Sequence, residues 1–386
     1  MEKTEKIYDS DSFLTEFTAV VLSCTPCPDS VFYDIILDRT LFFPEEGGQG
    51  CDTGTINGSP VLDVQIKEDT ILHTMQLPLE KGTEIHGIID WKNRFSNMQQ
   101  HSGEHIVSGL VFSHFGLHNV GFHLGSQCVT LDFDGFLEKE SLDLIETLAN
   151  EAVFRNVAVQ TEYPSPTVLD TLDYRSKKAL SGPVRIVTIP GYDVCACCAP
   201  HVKHTGEIGI IKIVDAIRYK GGSRLNILCG GRALSDYREK QEQVSLVSGL
   251  LSAKPELIFD AVSRLKNEIY SMKGELNGLT CRLAEEKAAA VPEGTGSLCL
   301  FETDMTPDAH RRYSSLLAEK CSGVCAVFVG SDTDGYRYIL SGNKKKAELN
   351  ELLKSRLHAK GGGLDMIQGS LNAARADIEA AWERLT

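Results

Sequence analysis

Two histidines at helical spacing place the strongest single constraint on the fold of this chain. His101 and His105 stand four residues apart in the segment MQQHSGEHIVSG, and they continue an apolar pattern that includes Phe95 and Met98. Steps of three and four residues are the period of one helix face, so the pattern predicts a helix from Trp91 with both imidazoles on its buried side. The spacing by itself is a weak signal, because core or surface histidines are at least as common as metal ligands.

A second cluster of ligand-type residues follows much later, in CACCAPHVKHTGEIG. Cys197 and His201 are again four residues apart, but Pro200 predicts a turn there rather than a helix. Two histidines from a helix, with a cysteine and a histidine from a turn, make up the four ligands of a tetrahedral zinc site. The fold must then bring this helix and this turn to one point.

The metal site has alternatives at this stage. Cys195, Cys198 and His204 are rival ligands, and a metal-free cluster of core side chains is the alternative to zinc. A site with four protein ligands is normally closed and structural, whereas catalytic zinc keeps one position for water or substrate. A zinc centre here therefore either has one loose ligand or mainly holds a pocket in shape.

The histidine pair does not match the metallopeptidase motif H-E-x-x-H. That motif needs a glutamate directly after the first histidine as general base. Ser102 occupies that position, and Glu104 precedes the second histidine instead. The sequence therefore disfavours a peptidase.

The remaining patterns predict an α+β protein with several domains, since 386 residues exceed the size at which one hydrophobic core stops growing. Residues 1–90 alternate short apolar and polar segments broken by Gly, Pro and Asp, which is typical of a β-barrel-like domain. Residues 91–234 mix helical and strand patterns and predict an α+β core that carries both ligand clusters. Residues 235–290 predict a long helical arm, and residues 291–386 a small C-terminal α/β domain.

A heptad pattern marks the helical arm. Alternating steps of four and three residues join Ile258, Val262, Leu265, Ile269, Met272, Leu276, Leu279 and Leu283. An apolar seam of this length favours an arm that pairs with another helix, either antiparallel or between two chains. The alternative is one long helix that packs on its own domain.

Charge and cysteine content limit the partners and the compartment. The net charge of −14 opposes nucleic-acid binding by bulk electrostatics, so an RNA partner has to meet local basic patches. The best patch consists of Lys344, Lys345, Lys346, Lys354, Arg356 and Lys360. No apolar run approaches the roughly 20 residues that span a bilayer, and the N-terminus is unlike a signal peptide. We expect a cytoplasmic protein whose 12 cysteines are reduced.

A glycine-rich segment, LDRTLFFPEEGGQGCDTGT, precedes both ligand clusters. Taken alone, Gly47-Gly48-Gln49 predicts a hairpin turn with a solvent-facing glutamine. Together with MQQHSGEH and CCAPHVKHTGEIGIIKI in this order, it closely resembles the editing domain of alanyl-tRNA synthetase and its free-standing relatives, the AlaX proteins, from about residue 10 to residue 234. The tail segment KGGGLDMIQGS resembles the C-terminal domain of alanyl-tRNA synthetase, which the long AlaX subclass retains.

This resemblance implies a trans-editing hydrolase for mischarged tRNA(Ala), chiefly Ser-tRNA(Ala) and also Gly-tRNA(Ala). A synthetase pocket that accepts alanine cannot exclude glycine sterically and rejects serine only about 100-fold, so a second, hydrolytic site is the remedy. The implied cofactor is Zn²⁺, with the ligands His101, His105, Cys197 and His201. Cys198, next to Cys197, competes as the cysteine ligand.

The resemblance also assigns further residues and partners. Gln49 is expected beside the substrate pocket, with Glu104 and Thr40 as secondary candidates for catalytic or supporting roles. The implied C-terminal domain binds tRNA or oligomerises, and a homodimer through that domain or the helical arm is a further expectation. Because the chain starts at the editing region with no ATP site ahead of it, we expect hydrolysis rather than aminoacylation. The alternative function is a non-catalytic, zinc-stabilised protein that binds tRNA.

Overall fold

The computed structural model describes residues 3–28, 30–176 and 182–384. The chain divides into two compact units, residues 1–243 and 244–386. Helices and sheets occur in both units, which confirms the predicted multi-domain α+β class. The finer division into four segments stays a prediction. Within the described residues, no helix is both long enough and apolar enough to cross a membrane.

The first unit begins with a barrel of short strands. In chain order the strands are β1 (Glu5–Lys6), β2 (Glu16–Pro26), β3 (Tyr33–Leu37), β4 (Arg39–Thr40), β5 (Gly54–Ile56), β6 (Ser59–Lys67), β7 (Thr70–Met75) and β8 (Glu84–Ile89). The order β2-β3-β7-β6-β5-β8 closes because β8 pairs back with β2. Buried and exposed residues alternate along β8 and the first half of β2, as in strands with one face on a core.

Two antiparallel sheets and several helices complete the first unit. The strands are β9 (Asn119–Leu124), β10 (Val129–Phe133), β11 (Gln160–Glu162), β12 (Ile186–Ile189), β13 (Asp193–Ala196), β14 (Ile211–Tyr219) and β15 (Gly222–Cys229). They form the sheets β14-β15-β10-β9 and β11-β12-β13. The helices are α1 (Ile7–Ser10), α2 (Trp91–Phe115), α3 (Lys139–Arg155), α4 (Pro166–Leu169) and α5 (Gly230–Leu251), with a 3₁₀ helix at Thr205–Ile208.

Helix α2 is the centre of the first unit. Asp90 caps its N-terminus by accepting a hydrogen bond from the Asn93 N–H at 3.1 Å, and Gly116 ends it in the left-handed region at φ 68°. The middle of the helix is almost wholly buried. A Cβ at Gly109 would lie 2.2 Å from the carbonyl oxygen of Tyr192, so glycine permits close packing there. Helix α2 therefore lies directly against the backbone that leads into β13.

The second unit joins a long helix to a mixed sheet. Its helices are α6 (Ile258–Ala289), α7 (Pro307–Lys320), α8 (Lys345–Leu357) and α9 (Arg375–Glu383). Its strands are β16 (Leu298–Glu302), β17 (Val324–Ser331), β18 (Gly335–Gly342), β19 (Lys360–Gly362) and β20 (Ile367–Leu371). They pair in the order β16-β17-β18-β20-β19, and only the β16–β17 pair is parallel.

The apolar seam predicted for the arm lies along α6. From Val262 to Leu283 its side chains are 43% to 58% exposed. Another side of α6 packs within the unit, where Ala284 and Ala288 are buried in one cluster with Ala309 of α7. The seam is therefore not the face that holds α6 to its own unit.

Candidate metal centre

Helix α2 and the turn after β13 bring ligand-type side chains to one point. His101 and His105 belong to the buried part of α2, and Cys197 and His201 belong to the turn between β13 and the 3₁₀ helix. Their ligand atoms all lie within 4.8 Å of one another. The structure thus assembles the set for which the sequence predicted a metal.

The distances within this cluster fit a tetrahedral zinc ion. Cys197 Sγ lies 3.5 Å from His101 Nε2 and 3.4 Å from His201 Nε2. Bonds of about 2.3 Å to sulfur and about 2.0 Å to nitrogen, at the tetrahedral angle, would place these ligand atoms about 3.5 Å apart. Zinc accepts both thiolate and imidazole. The two distances from Cys197 Sγ therefore agree with those of a tetrahedral zinc site.

Each histidine of the cluster makes a hydrogen bond through its Nδ1 atom. The partners of Nδ1 are Gln49 Oε1 for His101, Asp193 Oδ2 for His105 and Ser102 Oγ for His201, at 2.8, 2.8 and 3.0 Å. Amide and carboxylate oxygens only accept, so His101 and His105 carry a proton on Nδ1. This leaves Nε2 of both rings to bind a metal, as in other histidine-ligated zinc sites.

Burial and neighbouring groups set the protonation of the cluster. Burial lowers the pKa of His201 to about 3, so its ring is neutral at pH 7. Burial raises the pKa of the Cys197 thiol, but the interaction with His101 helps to outweigh this and hold it well below its usual value. At His105, burial lowers the pKa, but the hydrogen bonds to Asp193 and Cys197 and the neighbouring acidic groups together outweigh it and hold the pKa well above its usual value. A metal ion held here would bind the Cys197 thiolate, and its binding would require loss of a proton from His105.

The rival ligands are placed differently. Burial and the neighbouring Cys197 raise the pKa of the Cys198 thiol, and of the described side chains it is Cys197 whose sulfur converges with the histidines. Cys195 belongs to a second buried group that shares His105. His204 is exposed at the start of the 3₁₀ helix. This geometry favours Cys197 as the cysteine ligand.

Gln49 joins the cluster to a surface pocket. Gly47 and Gly48 adopt positive φ values of 63° and 84°, and a Cβ at Gly48 would lie 2.7 Å from the carbonyl oxygen of Phe122. The turn forms part of the wall of a pocket of about 600 Å³. Instead of facing solvent, Gln49 is 1% exposed, and its Oε1 accepts from His101. Among the described residues its Nε2 has no hydrogen-bond partner, so a side chain that lines the pocket carries a buried donor without an acceptor.

Glu104 is a buried carboxyl group next to the cluster. Its Oε1 accepts hydrogen bonds from Ser108 Oγ at 2.7 Å and Asn119 Nδ2 at 2.8 Å. Its Oε2 lies 3.9 Å from His105 Nε2. Contacts from α2 and β9 thus fix this carboxyl group beside the point where the ligands converge.

Thr40 lies inside the barrel and is fully buried. Its Oγ1 is 2.8 Å from His73 Nε2, and it accepts a hydrogen bond from the Phe42 N–H at 3.1 Å. These contacts tie β4 to β7 and give Thr40 a structural role. Its part in the substrate pocket stays a prediction.

The sequence patterns did not predict the supporting residues Ser102, Asp193 and Arg175. Ser102 follows a ligand histidine within HSGEH, and Asp193 precedes Cys197 by four residues, so both had a weak signal in their position. Arg175 donates to both oxygens of Asp193 at 2.7 and 2.9 Å. It has no such signal, because only the folded chain brings it to the site.

Two known families match parts of the chain. The family "tRNA synthetases class II (A)" matches residues 9–93. The family "Threonyl and Alanyl tRNA synthetase second additional domain" matches residues 184–231, which contain Cys197 and His201. The matches thus cover the barrel and the second ligand segment.

Similar proteins carry editing and ligase names. Alanyl-tRNA editing protein Aarsd1 of Danio rerio is 26% identical over 396 residues, which is 96% of this chain and 95% of that protein. Alanyl-tRNA editing protein Aarsd1-A of Xenopus laevis is 31% identical over 287 residues, which is 70% of this chain and 69% of the relative. The alanine–tRNA ligase of Pyrococcus furiosus is 32% identical over 298 residues, which is 73% of this chain and 32% of the ligase. By this identity and coverage, the chain belongs to the alanyl-tRNA editing protein family.

Proposed function

We propose that this protein is a trans-editing hydrolase that deacylates mischarged tRNA(Ala), chiefly Ser-tRNA(Ala) and also Gly-tRNA(Ala). The observation that carries the proposal is the contact between the His and Cys cluster and Gln49, whose unpartnered amide borders a pocket of about 600 Å³. Membership of the alanyl-tRNA editing family supports this substrate class. Hydrolysis of an aminoacyl ester needs no ATP, and we expect the reaction in the cytoplasm.

The proposed cofactor is Zn²⁺, held by His101, His105, Cys197 and His201. Bound there, zinc would polarise the ester or position the amino group of the substrate. Convergence of several protein ligands is typical of a closed site. The groups that contact the ester and the attacking water are therefore expected among the neighbouring side chains.

Gln49 and Glu104 are the proposed contacts to the reacting atoms. The Nε2 group of Gln49 can donate to the ester carbonyl oxygen as negative charge develops on it. One well-placed donor of this kind contributes about 3 kcal/mol to the stabilisation of a transition state. Oε2 of Glu104, which lies 3.9 Å from His105 Nε2, can accept a hydrogen bond from the attacking water.

The test is deacylation of Ser-tRNA(Ala), Gly-tRNA(Ala) and Ala-tRNA(Ala) side by side, with and without a zinc chelator. The proposal expects fast loss of serine, slower or similar loss of glycine, little loss of alanine, and inhibition by the chelator. A folded, zinc-loaded protein that binds these tRNAs but leaves the serine ester intact would show instead a non-catalytic tRNA-binding protein.

We propose that the second unit contributes to tRNA binding. Lys360 lines a pocket of about 560 Å³ there together with Arg337 and His358. Of the other basic residues in the predicted patch, Lys346 donates to the Asp365 carbonyl oxygen at 2.7 Å. The positive side chains of Lys360 and Arg337 at this pocket, which Asp334 also lines, suit the phosphates of an RNA backbone.

We further propose a homodimer through the exposed seam of α6. In heptad notation the a positions are Val262, Ile269, Leu276 and Leu283, and the d positions are Ile258, Leu265, Met272 and Leu279. β-Branched residues at a and leucine at d favour a parallel two-stranded coiled coil. The first two a positions, Val262 and Ile269, and two of the four d positions, Leu265 and Leu279, follow this rule.

The charges beside the seam favour the same arrangement. Glu268 and Glu275 occupy g positions, and Lys266 and Lys273 occupy e positions. In a parallel pair, a g residue faces the e residue of the next heptad of the other chain, so Glu268 meets the partner's Lys273. An antiparallel pair of identical helices would place glutamate near glutamate and lysine near lysine. A second copy of this chain in parallel orientation is therefore the proposed partner of α6.

A further inference from the structure

Asp193 accepts hydrogen bonds from both a metal-cluster histidine and an arginine. Its Oδ2 lies 2.8 Å from His105 Nδ1 and 2.9 Å from Arg175 Nη2, and its Oδ1 lies 2.7 Å from Arg175 Nε. The Asp193 and His105 side chains are each 2% exposed. A buried carboxylate with this many donors has one orientation available to it, because any rotation breaks a charge-assisted hydrogen bond.

The backbone fixes both members of the Asp193–Arg175 pair. Arg175 runs beside β13, since its N–H donates to the Val194 carbonyl oxygen at 2.8 Å and its carbonyl oxygen accepts from the Ala196 N–H at 2.9 Å. Asp193 meets α2 where Gly109 permits close approach, as a Cβ there would lie 2.8 Å from the Asp193 Cβ. Asp193 is therefore fixed within β13 and packs against α2, the helix that carries His105.

We infer that Asp193, locked in place by Arg175, is the positioning residue of the metal centre and orients the His105 ring with Nε2 toward the metal ion. The inference rests on the proposed zinc site. A carboxylate behind a ligand histidine fixes the tautomer and the ring orientation and makes the ligand more basic. Among the three ligand histidines, His105 alone has a carboxylate at Nδ1, whereas His101 and His201 have neutral partners.

The same contacts assign Asp193 to this role rather than to a second metal site. His105, Asp193 and Cys195 are close enough to hold an ion. The Arg175 guanidinium, however, occupies both carboxylate oxygens, and its positive charge opposes a second cation at that point. Asp193 therefore serves the cluster through His105.

An asparagine at position 193 cannot replace the carboxylate. One amide oxygen can accept from His105 or from Arg175, and the amide NH₂ then faces the remaining donor. Asp193→Asn thus keeps the size of the side chain, but it cannot accept hydrogen bonds from both His105 and Arg175. Asp132→Asn is the matched control, because Arg224 donates to both oxygens of Asp132 at 2.6 and 2.7 Å and no histidine is involved.

The experiment measures zinc affinity by competition with a chromophoric chelator and records the visible spectrum of the Co²⁺-substituted protein. Asp193→Asn is expected to bind zinc about 10- to 100-fold more weakly, the usual effect of losing such a partner. Its cobalt bands should change in position and intensity, because the His105 ligand is no longer held in its orientation. Asp132→Asn should match the wild type in both measurements.

Two results overturn the inference in distinguishable ways. Wild-type zinc affinity and an unchanged cobalt spectrum in Asp193→Asn exclude the positioning role alone. A wild-type protein that binds no zinc overturns the proposed cofactor together with the inference. If Asp193→Asn fails to fold, Arg175→Gln replaces it. That variant keeps the carboxylate but removes the arginine that fixes it, and its zinc affinity should fall several-fold. Wild-type zinc affinity in Arg175→Gln would contradict the role of Arg175 in fixing Asp193.

Discussion

Gln49 accepts a hydrogen bond from His101 Nδ1 at 2.8 Å, while its own Nε2 is buried without a partner among the described residues. One amide thus contacts the cluster with its oxygen, and its NH₂ group is available for the contact to the ester that we propose. The glycine-rich turn and the histidine helix are joined through this side chain. Substitutions that remove the donor and retain the acceptor separate its two roles.

Gln49→Glu should retain zinc and lose most of the hydrolytic activity. The glutamate still accepts from His101, but it offers no N–H to the ester, so kcat for Ser-tRNA(Ala) is expected to fall about 100- to 1,000-fold. Metal analysis and single-turnover deacylation measure the two effects. Gln49→Ala is the companion variant, which should also bind zinc more weakly because His101 loses its partner. Wild-type kcat in Gln49→Glu would remove Gln49 from the reaction.

Cys197→Ser and Cys198→Ser should differ in zinc content. The Cys197 sulfur lies within 3.5 Å of two ligand nitrogens, whereas Cys198 is a buried thiol with a raised pKa. Cys197→Ser is therefore expected to lose most of the bound zinc, and Cys198→Ser to keep it. Plasma mass spectrometry of the purified proteins gives the stoichiometry. The reverse pattern would move the ligand assignment to Cys198.

Glu104→Gln should lower kcat without loss of zinc. The amide oxygen can keep the hydrogen bonds from Ser108 and Asn119, but the group that faces the cluster becomes a donor. A water-orienting role predicts a fall in kcat of about 100-fold or more. Ser108→Ala, which disturbs only the support of the carboxyl group, should have a smaller effect. Equal activity in Glu104→Gln and the wild type would leave Glu104 a structural role.

Substitution of Ile269 by lysine should dissociate the proposed dimer. Ile269 occupies an a position of the seam and is 43% exposed in the single chain. A charge at the centre of a coiled coil is strongly unfavourable, so sedimentation velocity should show monomers. Tyr270→Lys is the control, because Tyr270 is 83% exposed next to the seam. Glu268→Lys should weaken the dimer, and adding Lys273→Glu should restore it. Failure of the double variant to restore the dimer would exclude the parallel register.

His73 should make the protein less stable in weak acid. Burial lowers its pKa from 6.5 to about 4. The unfolded chain therefore binds this proton below about pH 6.5, and the folded chain binds it only near pH 4. The free energy of unfolding should decrease by about 1.4 kcal/mol per pH unit across that window, and by about 3 kcal/mol in total. Above pH 6.5 this group has no effect.

Urea unfolding of the wild type and His73→Gln between pH 7.5 and pH 4.5 measures this effect. The variant should be less stable at neutral pH, because the contacts of His73 with Thr40 and the Ile35 carbonyl oxygen are altered. The difference between the two proteins should shrink as the pH falls. His114→Gln, at an exposed position, serves as the control. A constant difference across the range would contradict the burial argument.

Local sequence determined the parts of this protein that depend on short spacing. The i, i+4 histidines and the Cys-x-x-x-His turn are pairs whose geometry follows from the backbone within one helix turn or one loop. The heptad seam of α6 follows from the same local period. For this reason the α+β class, the candidate ligands and a long helix with an apolar seam could be predicted without a structure.

Only the tertiary structure decided what surrounds these residues. Gln49, Ser102 and Asp193 each hold a ligand histidine that lies 52, 99 or 88 residues away in the chain. Many polar side chains could have supplied those contacts, and packing of α2 against β13 and the glycine-rich turn selects among them. Thr40 shows the same dependence, because its place beside His73 is set by closure of the barrel. Sequence spacing fixes which groups can share a metal, whereas the orientation of each ring depends on donors and acceptors that only folding brings together.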